Sequence, residues 1–289
     1  MVFCLFGCYT ISMNTLIFVF IFLLGTIIGS FLNVVIFRFN TGKSIAKGRS
    51  ICMTCNRTLR WYELIPIFSY LFQLGKCRRC AETISHQYPI VEFVTGVLFV
   101  LITYHFMPIL LFSPSSYLFL VIFFVFLFSL LIVISVYDFR HKIIPNKLVY
   151  AFSFVAFLSI FVNSTSFGPL FIIPSLSYFT AGPLLALPFA LLWLVSRGKW
   201  MGLGDAKLML GLGWMLGIYL GLSAIILAFW IGSIVSLGIM FLSNNLFKNK
   251  TGKIGMKTEI PFAPFLIIGA LIVFLFNLDI LSLSTLFHF

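Results

Sequence analysis

The sequence predicts an all-α polytopic membrane protein of about eight transmembrane helices, with a cytoplasmic four-cysteine loop between the first two. Three observations carry this expectation. Of 289 residues, 61% are hydrophobic and 9% charged, against about 25% charged in an ordinary soluble domain, and the mean hydropathy is +1.14. Apolar runs recur along the chain, each near or above the roughly 20 residues an α-helix needs to cross the hydrocarbon layer. The basic residues are gathered into a few short loops and are absent from the long apolar runs.

The apolar runs place spans at about 15–37, 87–107, 116–137, 148–166, 178–196, 206–220, 221–243 and 263–283. Only the stretch from Gly217 to Gly221 separates the sixth from the seventh, so one long kinked helix competes with two spans there. Residues 1–14 lack the positive n-region of a secretory signal. They read as an N-terminal extension, with Met13 an alternative initiator to Met1. The rest divides into residues 15–107, holding two helices and the loop at 38–86, and residues 108–289, holding six helices.

Orientation follows from lysine and arginine, which stay in the cytoplasm when they flank membrane helices. Nine basic residues from Arg38 to Arg79 follow the first span, and Arg140, Lys142 and Lys147 follow the third. Arg197, Lys199 and Lys207 lie between the fifth and sixth, and Lys248, Lys250, Lys253 and Lys257 between the seventh and eighth. With eight spans all 19 fall on one side. The net charge of +12 is thereby accounted for by topology and anionic membrane lipid, not by a nucleic-acid partner.

Within the loop, Cys52-Met53-Thr54-Cys55 and Cys77-Arg78-Arg79-Cys80 form two C-x-x-C pairs. Each such turn presents two thiolates to one ion, and two turns close a four-sulfur structural zinc site. Four thiolates also suit iron, and two disulfides are the third reading, one that a reducing cytosol disfavours. Between the pairs, residues 61–72 are too apolar for a solvent loop. They either lie along the membrane interface, where tryptophan and tyrosine are favoured, or pack against the rest of the chain.

The chain has seven acidic residues, Glu63, Glu82, Glu92, Asp138, Asp205, Glu259 and Asp279. An ionisable group at membrane depth is costly and reads as functional by default. Asp138 ends the third span, and Asp205 opens the sixth within Gly202-Leu203-Gly204-Asp205. Two carboxylates at one depth on different helices can share a proton, one activating water while the other protonates the leaving amine. Gly202 and Gly204 leave the backbone free to approach a substrate strand. Taken alone, Asp205 could be a helix cap and Asp138 an interfacial partner of Arg140 or Lys142. Because helix N-termini favour carboxylates and C-termini disfavour them, Asp205 is expected to be the base and Asp138 the proton carrier.

Together the motifs resemble the type IV prepilin leader peptidase family of GxGD-type membrane aspartyl proteases. The resemblance rests on Gly29-Ser30-Phe31-Leu32-Asn33, the two C-x-x-C pairs, Leu59 to Pro66, Tyr88 to Glu92, Asp138 with Ile144-Pro145-Asn146, Gly202 to Leu208, and Ile260 to Phe265. It departs at Ala263, where many members carry glycine. It implies cleavage of prepilins or pseudopilins at the cytoplasmic face of the bacterial inner membrane, with Asp138 and Asp205 catalytic. It also implies N-methylation of the new terminus with S-adenosylmethionine. The region 15–107, with Glu63, Glu92 and Gly96 as cofactor-binding residues, would serve that second step. Two other classes compete: a proton-coupled transporter, and a non-catalytic membrane scaffold whose zinc loop binds partners.

Overall fold

The computed structural model describes residues 2–42, 44–45, 47–163, 169–246 and 261–280, with side chains from Thr15 onward except those of 242–246. The four lysines expected between the last two spans, and Glu259, lie outside the described residues. The described residues are helical, apart from turns and isolated β-bridges, and fall into two compact units, 1–133 and 134–289.

The first unit holds α1 (Val2–Arg38), α2 (Phe68–Phe72), α3 (Gln87–His105), α4 (Met107–Leu110) and most of α5 (Pro114–His141). Helices α1 and α3 run antiparallel: Phe18 meets Tyr104 near one end of the pair, and Phe37 stacks on Tyr88 at 4.8 Å near the other. Gly25 and Gly29, one turn apart on α1, make the approach close. A Cβ on Gly25 would stand 2.8 Å from Cα of Gly96, and one on Gly29 would stand 2.8 Å from Cα of Glu92. This is the small-xxx-small packing that lets membrane helices touch backbone to backbone. Buried Asn33 adds a polar clasp, donating to the carbonyls of Gly29 and Tyr88 at 3.3 and 3.2 Å.

The second unit holds the end of α5, then α6 (Asn146–Ser159), α7 (Leu176–Ser196), α8 (Leu203–Leu246) and α9 (Ala263–Phe276). Helix α8 packs on α6, α7 and α9. Its 44 residues would span about 66 Å if straight, twice the hydrocarbon thickness. It is not straight: Gly217 takes φ 77° and ψ −177°, a backbone that only glycine adopts freely. Past that point the chain doubles back, because a Cβ on Gly221 would lie 2.3 Å from Leu185 Cδ1 and 3.7 Å from Met209 Cε. Along a continuous helix, residues 209 and 221 would stand about 18 Å apart. The stretch is therefore two helical arms that meet at a kink at Gly217.

Among the described residues, five helices are long and apolar enough to cross a membrane, and α6 and α9 are shorter apolar helices. Expected and observed bounds differ most at α1, whose helix begins at Val2 where the span was expected from 15, and next at α6, which ends at Ser159 where the span was expected to reach 166. There Val162 bridges to Phe171 and turns the chain. Helix α9 ends at Phe276 instead of 283, stopped by Asn277 in the left-handed conformation at φ 49°.

Candidate active site and metal centre

Asp138 sits in the last turn of α5, and the chain then reverses through Lys142, at φ 53°, whose N–H returns to the Asp138 carbonyl at 2.7 Å. Pro145 caps α6 immediately afterwards. Asp205 lies in the first turn of α8, where its N–H donates to the Gly202 carbonyl at 3.2 Å and its carboxylate lies close to the Gly202 backbone. The two carboxyl groups are within electrostatic reach of each other, and both residues are buried, 5% and 8% exposed.

What brings the two segments together is the absence of a side chain. A Cβ on Gly204 would stand 2.8 Å from Ile144 Cβ, so the reversal after α5 rests directly on the start of α8. A second link runs from Lys207 Nζ to Asn146 Oδ1 at 2.8 Å, with the ammonium also 5.1 Å from the Tyr150 ring centre. Glycine, lysine and asparagine of the two aspartate-bearing motifs thus tie those motifs to each other.

The acids stand at opposite helix ends as expected, Asp205 in the first turn of α8 and Asp138 in the last turn of α5. Asp138 does end α5, but its carboxyl also faces the backbone N–H of Ala263, the first residue of α9. That N–H has no carbonyl within its own helix, so both acids are met by a helix N-terminus. Sequence reasoning did not find this contact. Its signal was the run Ile260-Pro261-Phe262-Ala263-Pro264, with a proline where helices begin.

In the first unit the four cysteine Sγ atoms lie within 4.8 Å of one another. Cys52 and Cys80 Sγ are 3.8 Å apart, the edge of a tetrahedron with bonds of about 2.3 Å to a central ion and far beyond a disulfide of about 2.05 Å. The loop is an internal repeat offset by 25 residues: Cys52 N–H donates to Arg57 O as Cys77 N–H does to Glu82 O, at 2.9 and 2.8 Å. Each turn then takes a left-handed residue, Asn56 and Ala81, at φ 51° and 55°. Backbone N–H groups of Cys80 and Arg79 pull the Cys77 thiol down to about 6. At Cys80 the Glu82 N–H favours the thiolate, yet burial and the neighbouring sulfurs push it up to about 11. Four sulfurs at this spacing form a donor set that fits zinc.

Asparagine tolerates the left-handed region and alanine does not. Ala81→Gly is therefore expected to stabilise the second turn by about 1 kcal/mol, read as slower proteolytic nicking between residues 76 and 84; an unchanged rate would rule out strain at Ala81.

Glu63, Glu92 and Gly96 are all engaged within the unit. Burial opposes the charge of Glu63, but the Arg60 N–H at 2.8 Å and the paired Arg57 guanidinium hold its carboxyl below the usual range. The stability this confers is present above about pH 4.3 and is lost as pH falls through the lowered value. Glu92 accepts the Ile67 N–H at 2.7 Å. Ile67 has φ 60° and ψ −55° and centres a tight turn in which Phe68 N–H meets Pro66 O at 2.6 Å. This is a rare, strained γ-turn in a β-branched residue. Gly96 packs under Phe22 and Thr26 of α1. Beyond the turn, Trp61, Phe72 and Leu74 are 78%, 80% and 86% exposed.

The profile of the bacterial Peptidase A24 N-terminal domain matches residues 23–106, and that of the type IV leader peptidase family matches residues 125–237. The chain is 32% identical over 266 residues to the prepilin leader peptidase/N-methyltransferase of Bacillus subtilis, covering 91% of this chain and 95% of that protein. The chain belongs to the type IV leader peptidase family. Proteins of the same name from Vibrio cholerae and Dichelobacter nodosus are 33% and 29% identical, over 70% and 90% of this chain and 80% and 92% of their own. No solved structure matches it significantly. The leader peptidase profile spans both buried aspartates, and the N-terminal profile spans all four cysteines.

Proposed function

We propose that this chain is a bifunctional membrane enzyme that removes the basic leader of type IV prepilins or pseudopilins and then methylates the new amino terminus. The observation that carries the reading is the burial of Asp138 and Asp205 together, within the segment matched to the leader peptidase family.

Two buried carboxyl groups within electrostatic reach of each other do not readily ionise together, since paired charges repel. The ionised one takes a proton from water as the water oxygen attacks the scissile carbonyl carbon, and the other donates its proton as the C–N bond breaks, leaving a new carboxyl and a free amine. Both acids lie close to a backbone N–H at the start of a helix, Asp205 to that of Gly202 and Asp138 to that of Ala263, so either can be the base. Cys52, Cys55, Cys77 and Cys80 would hold a zinc ion, which closes the loop structurally and leaves no open position for chemistry. S-adenosylmethionine would be the methyl donor. Because Glu63, Glu92 and Gly96 already bond or pack within the unit, their part in methyl transfer is to hold the metal loop and the α1–α3 pair in place. The exposed aromatic ridge from Trp61 to Leu74 suits contact with lipid. The basic loops support a multi-pass inner-membrane protein with both the acids and the metal loop on the cytoplasmic face.

Purified protein is expected to cut a prepilin before its mature residue, to add one methyl when S-adenosylmethionine is present, and to carry one zinc per chain by elemental analysis. Intact substrate after prolonged incubation would sink the peptidase reading, and cleavage without methyl gain would restrict it to the first activity.

A further inference from the structure

Beside the buried acids lies a groove of about 400 Å³, lined by Phe229, Gly232, Ser236 and Leu237 of α8 and by Phe262 and Phe265 at the start of α9. Gly232 and Ser236 are one turn apart, so its floor is a face on which another helix can come close. The Ser236 hydroxyl already donates to Gly232 O at 2.6 Å, and the floor therefore asks for no polar partner. The walls are aromatic, with Phe229 and Phe262 rings 5.0 Å apart. None of the lining residues is charged.

One peptide unit joins the groove to the chemistry: Phe262 lines it, and the N–H of Ala263 faces Asp138. A substrate held here has its reacting bond at one end of the groove. The basic leader does not suit an uncharged aromatic channel, whereas an apolar helix that begins at the scissile bond does. We propose that this groove binds the first turns of the apolar helix on the C-terminal side of the scissile bond, and so sets which bond is presented to the acids. The proposal rests on the prepilin-cleaving reading above and adds to it the part of the substrate that is recognised.

The test uses the full-length chain in detergent with a full-length prepilin. With a photoreactive benzoylphenylalanine in place of Leu237 and Asp205→Asn to prevent turnover, the adduct is expected to map to the apolar helix of the substrate. Gly232→Leu and Ser236→Leu, made separately, are expected to raise KM by about tenfold or more, the loss that follows when one buried apolar side chain is turned away, with kcat within about twofold. Adducts confined to the leader, to detergent or lipid, or to the enzyme's own chain would overturn the proposal, as would a wild-type KM in both filled variants. Cross-linking needs no cleavage: an adduct on the apolar helix, from a protein whose wild-type form cuts nothing, removes the peptidase reading and leaves the groove assignment standing.

Discussion

Asp205→Asn and Asp138→Asn are each expected to lower kcat for prepilin cleavage by about three orders of magnitude, the middle of the range for loss of a general acid or base. Asparagine keeps the shape of the side chain and one carbonyl-type acceptor, so the nearby Gly202 and Ala263 N–H groups still face an acceptor. What is lost is the ability to take up and release a proton. Substrate binding and thermal unfolding are expected to stay near wild type, which separates loss of chemistry from loss of fold. If either variant cleaves at the wild-type rate, the dyad assignment fails for that residue.

The second large effect is expected at a residue with no side chain. In Gly204→Ala the new Cβ would stand 2.8 Å from Ile144 Cβ, closer than carbon atoms pack, and the reversal after Asp138 must move away from α8. A misplacement of about 1 Å between reacting groups costs about a hundredfold in rate, and cleavage should fall by that amount. The double variant Gly204→Ala/Ile144→Gly removes the opposing Cβ together with the rest of the Ile144 side chain and is expected to recover at least tenfold of the loss. Full activity in Gly204→Ala, or no recovery in the double variant, would show that the Ile144 contact does not set the spacing of the acids.

How much of this was legible in the sequence differs from residue to residue. The length of the apolar runs placed the apolar helices well, because such runs are strong local signals. Asp138 and Asp205 stood out because so few acids occur in so apolar a chain, and the cysteine pairs because their spacing matches a metal geometry. The duplication of the metal loop escaped notice, since only Cys52/Cys77, Cys55/Cys80 and Thr58/Thr83 repeat as letters, and the shared turn is written in backbone hydrogen bonds. The Ala263 contact escaped for another reason: residues 125 apart in sequence meet only once α8 has doubled back at Gly217. Glu63 and Glu92 drew attention as acids, but only their partners, Arg57 and the strained Ile67 turn, reveal how each is engaged.

The short helices of the second unit have a consequence for the bilayer. Helices α6 and α9 have 14 residues each, and the first arm of α8 runs only from Leu203 to the break at Gly217, so each is about 21 Å long. A bilayer core is about 30 Å thick. Lipid against these elements must thin or the helix ends must sink, at a cost of a fraction of a kcal/mol per Å of mismatch. Two of the three carry or face a residue of the acid pair: α8 holds Asp205, and α9 begins beside Asp138. Hydrophobic mismatch therefore gathers where hydrolysis needs water, and a locally pinched membrane shortens the path from bulk solvent to the scissile bond.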